Sequence, residues 1–159
     1  MSARPVPEGF HSITPGLVVD DAPKALEFYK KAFGATELMR MPAPDGSIMH
    51  AEMKIGNSII FVSEASPASE SFSPKHFKGT PVGLFLYADD VDAAFKRAVD
   101  AGCTVDMPVA DMFWGDRFCS VEDPFGHSWG IATHIKDMTP EEMQKASREF
   151  FEKMAAQKA

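Results

Sequence analysis

The chemically densest stretch of the chain is Phe113 to His134, FWGDRFCSVEDPFGHSWGIATH. It holds both tryptophans, one of the two cysteines and two of the five histidines. Within it, Trp114-Gly115-Asp116-Arg117 offers two readings: an Asp116–Arg117 ion pair fixing a loop, or an Arg117 fork that grips a carboxylate or phosphate. A second candidate lies upstream, where His50 and Glu52 stand two residues apart in HAEMKIGNS. On a strand they share one face. They could serve as general acid and base, as a non-standard metal pair, or as a polar pair at a sheet edge. His134, at a strand end, could join His50 in an irregular metal site only if the fold brings them together. His127 reads as a turn-stabilising residue facing a helix, and Cys119 as a small packed residue.

The elements that must position these groups are legible from punctuation and period. Asp123-Pro124-Phe125-Gly126 is a tight-turn signal, and the flanking runs Arg117 to Glu122 and His127 to Ile135 predict a hairpin. Upstream, Ser12 to Val19 predicts a strand. Asp20-Asp21 caps a helix whose apolar positions are Ala22, Leu26, Tyr29 and Phe33, and Gly34 ends it. Strands follow at Thr36 to Arg40, Ile48 to Ile55 and Ser58 to Glu64. Val82 to Ala88 restarts the pattern, Asp89-Asp90 caps a second helix, Gly102 ends it, and a short strand near Thr104 to Met107 leads through a long loop to the hairpin. VVDDAPKALEFYKKAFGATEL and LYADDVDAAFKRAVDAGCTVDM match in their paired Asp, apolar helix face and terminal Gly. The chain is therefore an internal duplication. The predicted fold is α+β: an N-terminal arm over 1–11, a βαβββ module over 12–64, a Ser- and Pro-rich linker over 65–80, a second βαβββ module over 81–135, and a C-terminal helix within 136–159. That helix opens on the capping box Thr139-Pro140-Glu141-Glu142 and carries a stripe of Met143, Ala146, Phe150 and Met154, which should dock on the body or on a partner subunit.

A duplicated βαβββ unit with paired-Asp helix entries and a closing D-P-x-G turn resembles the vicinal-oxygen-chelate superfamily of glyoxalases, extradiol dioxygenases, and bleomycin- and fosfomycin-resistance proteins. ITPGLVV, EFYKKAFGA, HAEMKIGNS, DMFWGDR and DPFGHSWGIATH together resemble its PhnB-like branch. The resemblance spans about Ile13 to His134 and implies two curved sheets around a cavity, usually within a homodimer. It also implies metal ligands on each module's first and last strands. Those positions fall here at Thr14, Phe61, Gly83 and Gly130. Phenylalanine and glycine side chains cannot ligate a metal, so the usual site is expected to be absent; a shifted register would bring Ser63 or Glu64 to the place of Phe61. No cofactor is predicted, and a divalent metal would need a non-standard site.

Strand alternation sorts the remaining groups. Leu17, Val19, Met49, Ala51, Met53, Ile55, Leu84 and Leu86 should lie under the helices. His50, Glu52, Phe61, Phe85 and Tyr87 should line a cavity, with Trp114 and Arg117 at its mouth. An aromatic wall with few polar handles suits a flat or amphiphilic small molecule. The chain has 159 residues, a net charge of −7 and 45% hydrophobic content. This balance argues against nucleic acid or an anionic membrane as partner. Two distant cysteines and an N-terminus without an apolar signal core predict reduced thiols in the cytoplasm. Three functions fit: a metal-independent small-molecule binder, a lyase, isomerase or dioxygenase using a relocated metal or the His50/Glu52 pair, and a dimer-forming interaction module.

Overall fold

The structure, a computed structural model, describes residues 4–157, so the first three residues of the N-terminal arm and the last two of the chain lie outside it. The chain folds as β1 (Gly16–Val19), α1 (Ala22–Phe33), β2 (Thr36–Pro42), β3 (Ile48–Ile55) and β4 (Ser58–Glu64). After a connecting stretch with a short helix α2 (Pro74–Phe77) come β5 (Gly83–Tyr87), α3 (Val91–Ala101), β6 (Thr104–Asp111), β7 (Asp116–Glu122), β8 (Ser128–His134) and α4 (Pro140–Gln157). Each module is one four-stranded sheet, ordered β1-β4-β3-β2 and β5-β8-β7-β6, and neither closes into a barrel. In both, the outer first strand runs parallel to the last, and the remaining pairs are antiparallel.

The duplication is visible in the hydrogen bonds that start the two helices. The Asp21 carboxylate accepts from the Lys24 amide and the Asp90 carboxylate from the Ala93 amide, each at 3.0 Å. Each cap satisfies one of the donors that a helix N-terminus leaves free. Alternation puts Leu17, Val19, Ala51, Met53, Ile55, Val62, Cys119, Val121 and Ile131 under the helices, all buried. Met49 departs from this pattern and is exposed, while Ile48 is buried instead. The cause is a register shift between Met41 and Pro42, which reverses the alternation at the start of β3.

The two modules are joined through their helices and one turn. α1 packs against α3, and Arg97 of α3 donates to the Ala32 carbonyl at 3.0 Å. The Asp123 turn inserts its aromatics against α1: Phe28 meets Phe125 at 5.8 Å and Phe33 meets Trp129 at 4.2 Å between ring centroids. Asp123, 3% exposed, accepts from Tyr29 Oη, Trp129 Nε1 and the amides of Phe125 and His127. Four donors satisfy the lone pairs that burial takes away from water. His127 reaches across modules, its Nε2 lying 3.0 Å from the Val18 carbonyl.

One strand differs from the sequence expectation, and two connecting segments show how they are held. The strand after Gly102 does not stop at Met107; two register shifts let β6, an edge strand, absorb Pro108 and run on to Asp111. Within the linker 65–80, Ser66 pairs with Ser71, and the buried Ser73 hydroxyl bonds the Asp20 carboxylate. The described end of the arm packs on the first sheet, Phe10 meeting Phe61 at 6.0 Å. The capping box of α4 forms in both directions, Thr139 amide to Glu142 Oε2 at 2.8 Å and Glu142 amide to Thr139 Oγ1 at 3.2 Å. The helix touches the body through Phe150 and Phe113, 5.2 Å apart, while Met143, Phe151 and Met154 stay exposed.

Candidate functional site

The open face of each sheet, turned away from its helix, carries the candidate residues, and the register places them. In the first module Gly16 pairs with Phe61 and Phe61 with Glu52. In the second, Phe85 pairs with Gly130 and Gly130 with Ser120. The duplication thus superposes Gly16 on Phe85 and Phe61 on Gly130: glycine and phenylalanine exchange places between the halves. The register also settles the last strand of the first module, where Phe61, and neither Ser63 nor Glu64, stands opposite Gly16.

His50 and Glu52 sit side by side on β3, with Nε2 and Oε1 3.6 Å apart and both side chains partly exposed. They are neighbours along one interior strand, not a cross-strand pair at a sheet edge. The Phe61 ring meets the imidazole edge-on at 4.8 Å, and Met41 and Met39 face His50 and Glu52 from β2.

The second module's open face is aromatic. Phe85 stacks on Phe118 at 5.6 Å, Phe85 meets Tyr87 at 5.0 Å, and Trp114 meets Phe118 edge-on at 5.9 Å. Phe85 and Tyr87 are 53% and 62% exposed, a large apolar area to leave in water. Gly130 makes the stack fit: a Cβ there would come within 2.8 Å of Phe118 and 3.0 Å of Phe85. At the rim, Asp116 is 4% exposed and gathers three donors: Tyr87 Oη at 3.2 Å, Trp114 Nε1 at 3.1 Å and His134 Nδ1 at 2.7 Å. The other ring nitrogen of His134 contacts Asp137 at 3.0 Å. Hydrogen bonds to Asp116 and Asp137 hold the imidazolium, raising the His134 pKa above its ordinary value.

Arg117 is not part of this constellation, and it does not pair with Asp116. Successive residues on β7 point to opposite faces, so Arg117 turns towards α3. There both Nε and Nη2 bind the Asp92 carboxylate and Nη1 binds Asp111. Asp116 was missed as the centre of the site because its three donors come from β5, the β6–β7 loop and β8; only the fold assembles them. The cleft nearest the expected cavity, about 670 Å³, lies between the β3–β4 turn and β5. Of the expected lining residues it includes Phe85 and Tyr87, joined by His11, Ile13, Asn57 and Ile59. His50, Glu52, Phe61 and Trp114 lie outside it, because the two sheets of one chain do not pair with each other.

The donors present do not fit the metal that the fold resemblance implies. Rings, not ligands, occupy the space above Gly130, and the described residues contain no cluster of three or more His, Cys, Asp or Glu arranged to hold an ion. His134 is engaged by Asp116 and Asp137, and His50 by Glu52, each within its own module. Both thiols are buried, and burial pushes Cys119 up to about 11 and Cys103 up to about 12, which disfavours the thiolate.

Comparison with known proteins places this geometry. The model of the Glyoxalase/Bleomycin resistance protein/Dioxygenase superfamily matches residues 9–131. An uncharacterized protein of Mycobacterium tuberculosis is 42% identical over 138 residues, covering 85% of this chain and 81% of that one. The crystal structure of TioX from Micromonospora sp. ML1 superposes with a TM-score of 0.62 at 29% identity, covering 79% of this chain and 99% of the other. The PhnB protein from Bacillus cereus shares the fold, with a TM-score of 0.60 at 17% identity over 77% of this chain and 99% of its own.

Proposed function

Since the chain belongs to the Glyoxalase/Bleomycin resistance protein/Dioxygenase superfamily, we propose that it is a metal-independent member that binds a small aromatic or amphiphilic molecule on the open faces of its sheets. The observation that carries this reading is the shelf of Phe85 and Phe118 over Gly130. A ring stack fills the place where the superfamily resemblance puts a ligand-bearing side chain. Such a surface offers dispersion and stacking to a flat guest, with Asp116, His134 and the Tyr87 hydroxyl as the few polar groups that fix orientation.

A homodimer is part of the same proposal. Among the described residues, the outer strands β1 and β5 have no partner on their free edges, and Ile13, Phe85 and Tyr87 beside them are exposed. The side of Gly16 is open space, able to receive a bulky side chain. Pairing the first module of one copy with the second module of another would cover these edges and enclose His50, Glu52 and Phe61 with the aromatic shelf. A cytoplasmic setting fits the two free, buried thiols.

A second reading is favoured by one observation, the contact between His50 and Glu52 beside Phe61: an acid–base pair in a lyase, isomerase or dioxygenase. Elemental analysis and light scattering of the purified protein separate the two. The binding reading expects no stoichiometric divalent metal, a mass of twice 17.4 kDa, thermal stabilisation by flat aromatic compounds, and no thermal shift with divalent metals. One bound metal per chain, lost in His50→Ala, would overturn it.

A further inference from the structure

We propose that the shelf of the second module selects an aromatic cation: a planar molecule carrying a fixed positive charge, stacked on Phe85 and Phe118 and bordered by Tyr87, Trp114 and Asp116. The inference rests on the binding reading above and adds the sign of the ligand's charge.

Charge on this sheet is one-sided. Across GLFLY, TVDMPVAD, DRFCSVE and SWGIATH, the four strands β5 to β8 contain one Lys or Arg, and that residue is Arg117. It faces α3 and is consumed there by Asp92 and Asp111. The same strands carry four carboxylates, Asp106, Asp111, Asp116 and Glu122. On the open face Asp116 sits beside the rings, and Asp106 accepts from Ser120 at 3.4 Å. The nearest counter-charge is His134, already shared between Asp116 and Asp137. The donors at this rim, Tyr87 Oη, Trp114 Nε1 and His134 Nδ1, are already spent on Asp116, so an anionic guest would have to compete with that carboxylate for them.

The rings point the same way. An aromatic face is the negative pole of its quadrupole and attracts a cation laid on it. Tyr87 and Trp114 each donate their polar hydrogen to one carboxylate oxygen, Asp116 Oδ2. Donation to an anion shifts electron density into both rings and strengthens their negative faces. The carboxylate and the π-faces therefore act together, and Asp116, fixed by three donors, needs no reorganisation when the guest arrives.

The test uses three probes of one shape with the full chain: 1-methylquinolinium, neutral 1-methylnaphthalene and anionic 1-naphthoate, titrated calorimetrically at low salt. The expected order is cation, neutral, anion, with the cation ahead of the neutral ring by about tenfold. Asp116→Asn should shrink that preference severalfold, weakening the cation far more than the neutral probe. Phe85→Leu, which keeps an apolar side chain and removes the π-face, should weaken the cation more than the neutral probe; it tests the same point if Asp116→Asn fails to fold. Equal binding of cation and neutral probe, or tighter binding of the anion, overturns the cation inference and leaves the binding reading standing. Binding by none of the three probes overturns both.

Discussion

At the scale of single residues, the most informative group is His134, because its setting makes a directional pH prediction. Hydrogen bonds to Asp116 and Asp137 raise its pKa in the folded protein. A raised cationic group contributes stability that is fully present below its unfolded pKa, about 6.5, and is lost as pH rises through the folded value. The melting-temperature gap between the wild type and His134→Gln should therefore shrink as pH rises from roughly 6 to 9. A gap independent of pH would remove the imidazolium from the account. The gap should be small, since His134 is half exposed and screened by water. Residues of this kind divide sharply in what a sequence reveals. Period-two alternation is local, so the sharing of one face by His50 and Glu52 was legible, and so in principle was the separation of Asp116 from Arg117. An expectation of contact between sequence neighbours overrode that alternation. The role of Asp116 was not legible, because its three donors are up to 29 residues away in the chain.

At the scale of elements, helices and strand pairs follow from caps and periods that lie within a few residues, and most were readable. What escaped were the irregularities. The extra residue at Met49 and the bulges of β6 depend on how a partner strand fits, which no local pattern encodes. The loop between β6 and β7 is another such place. Gly115 has φ +97°, and its carbonyl accepts from the amides of Ile135 and Lys136, both at 3.0 Å. A Cβ there would lie 2.2 Å from the Lys136 carbonyl oxygen, a backbone atom that cannot swing aside. Gly115→Ala combines this overlap with a left-handed backbone and should cost about 2–4 kcal/mol in urea unfolding. It should also disturb the segment leading into α4, whose only aromatic anchor on the body among the described residues is Phe113. A loss below about 0.5 kcal/mol would mean that the loop has room the structure does not show.

At the scale of the whole molecule, the duplication was legible and the way its halves join was not. Asp123 read as turn punctuation; it proves to be the buried acceptor that ties α1 of one module to the closing hairpin of the other. Burial and that neighbouring carboxylate push the Tyr29 phenol well above its ordinary range, so it remains a donor throughout the accessible pH scale. Tyr29→Phe should cost about 1.5–3 kcal/mol, and the chain should still unfold in a single transition because the α1–α3 packing persists. Two separated transitions would show that the halves are held by this bond alone. No helix among the described residues is long and apolar enough to cross a membrane. The exchange of glycine and phenylalanine between Gly16/Phe61 and Phe85/Gly130 has a directional consequence. Duplicated halves with identical floors would hold a guest equally well in either direction. With an imidazole–carboxylate floor on one half and a ring shelf on the other, the proposed guest would have one preferred direction: its flat, apolar end on the shelf and its polar end towards His50 and Glu52.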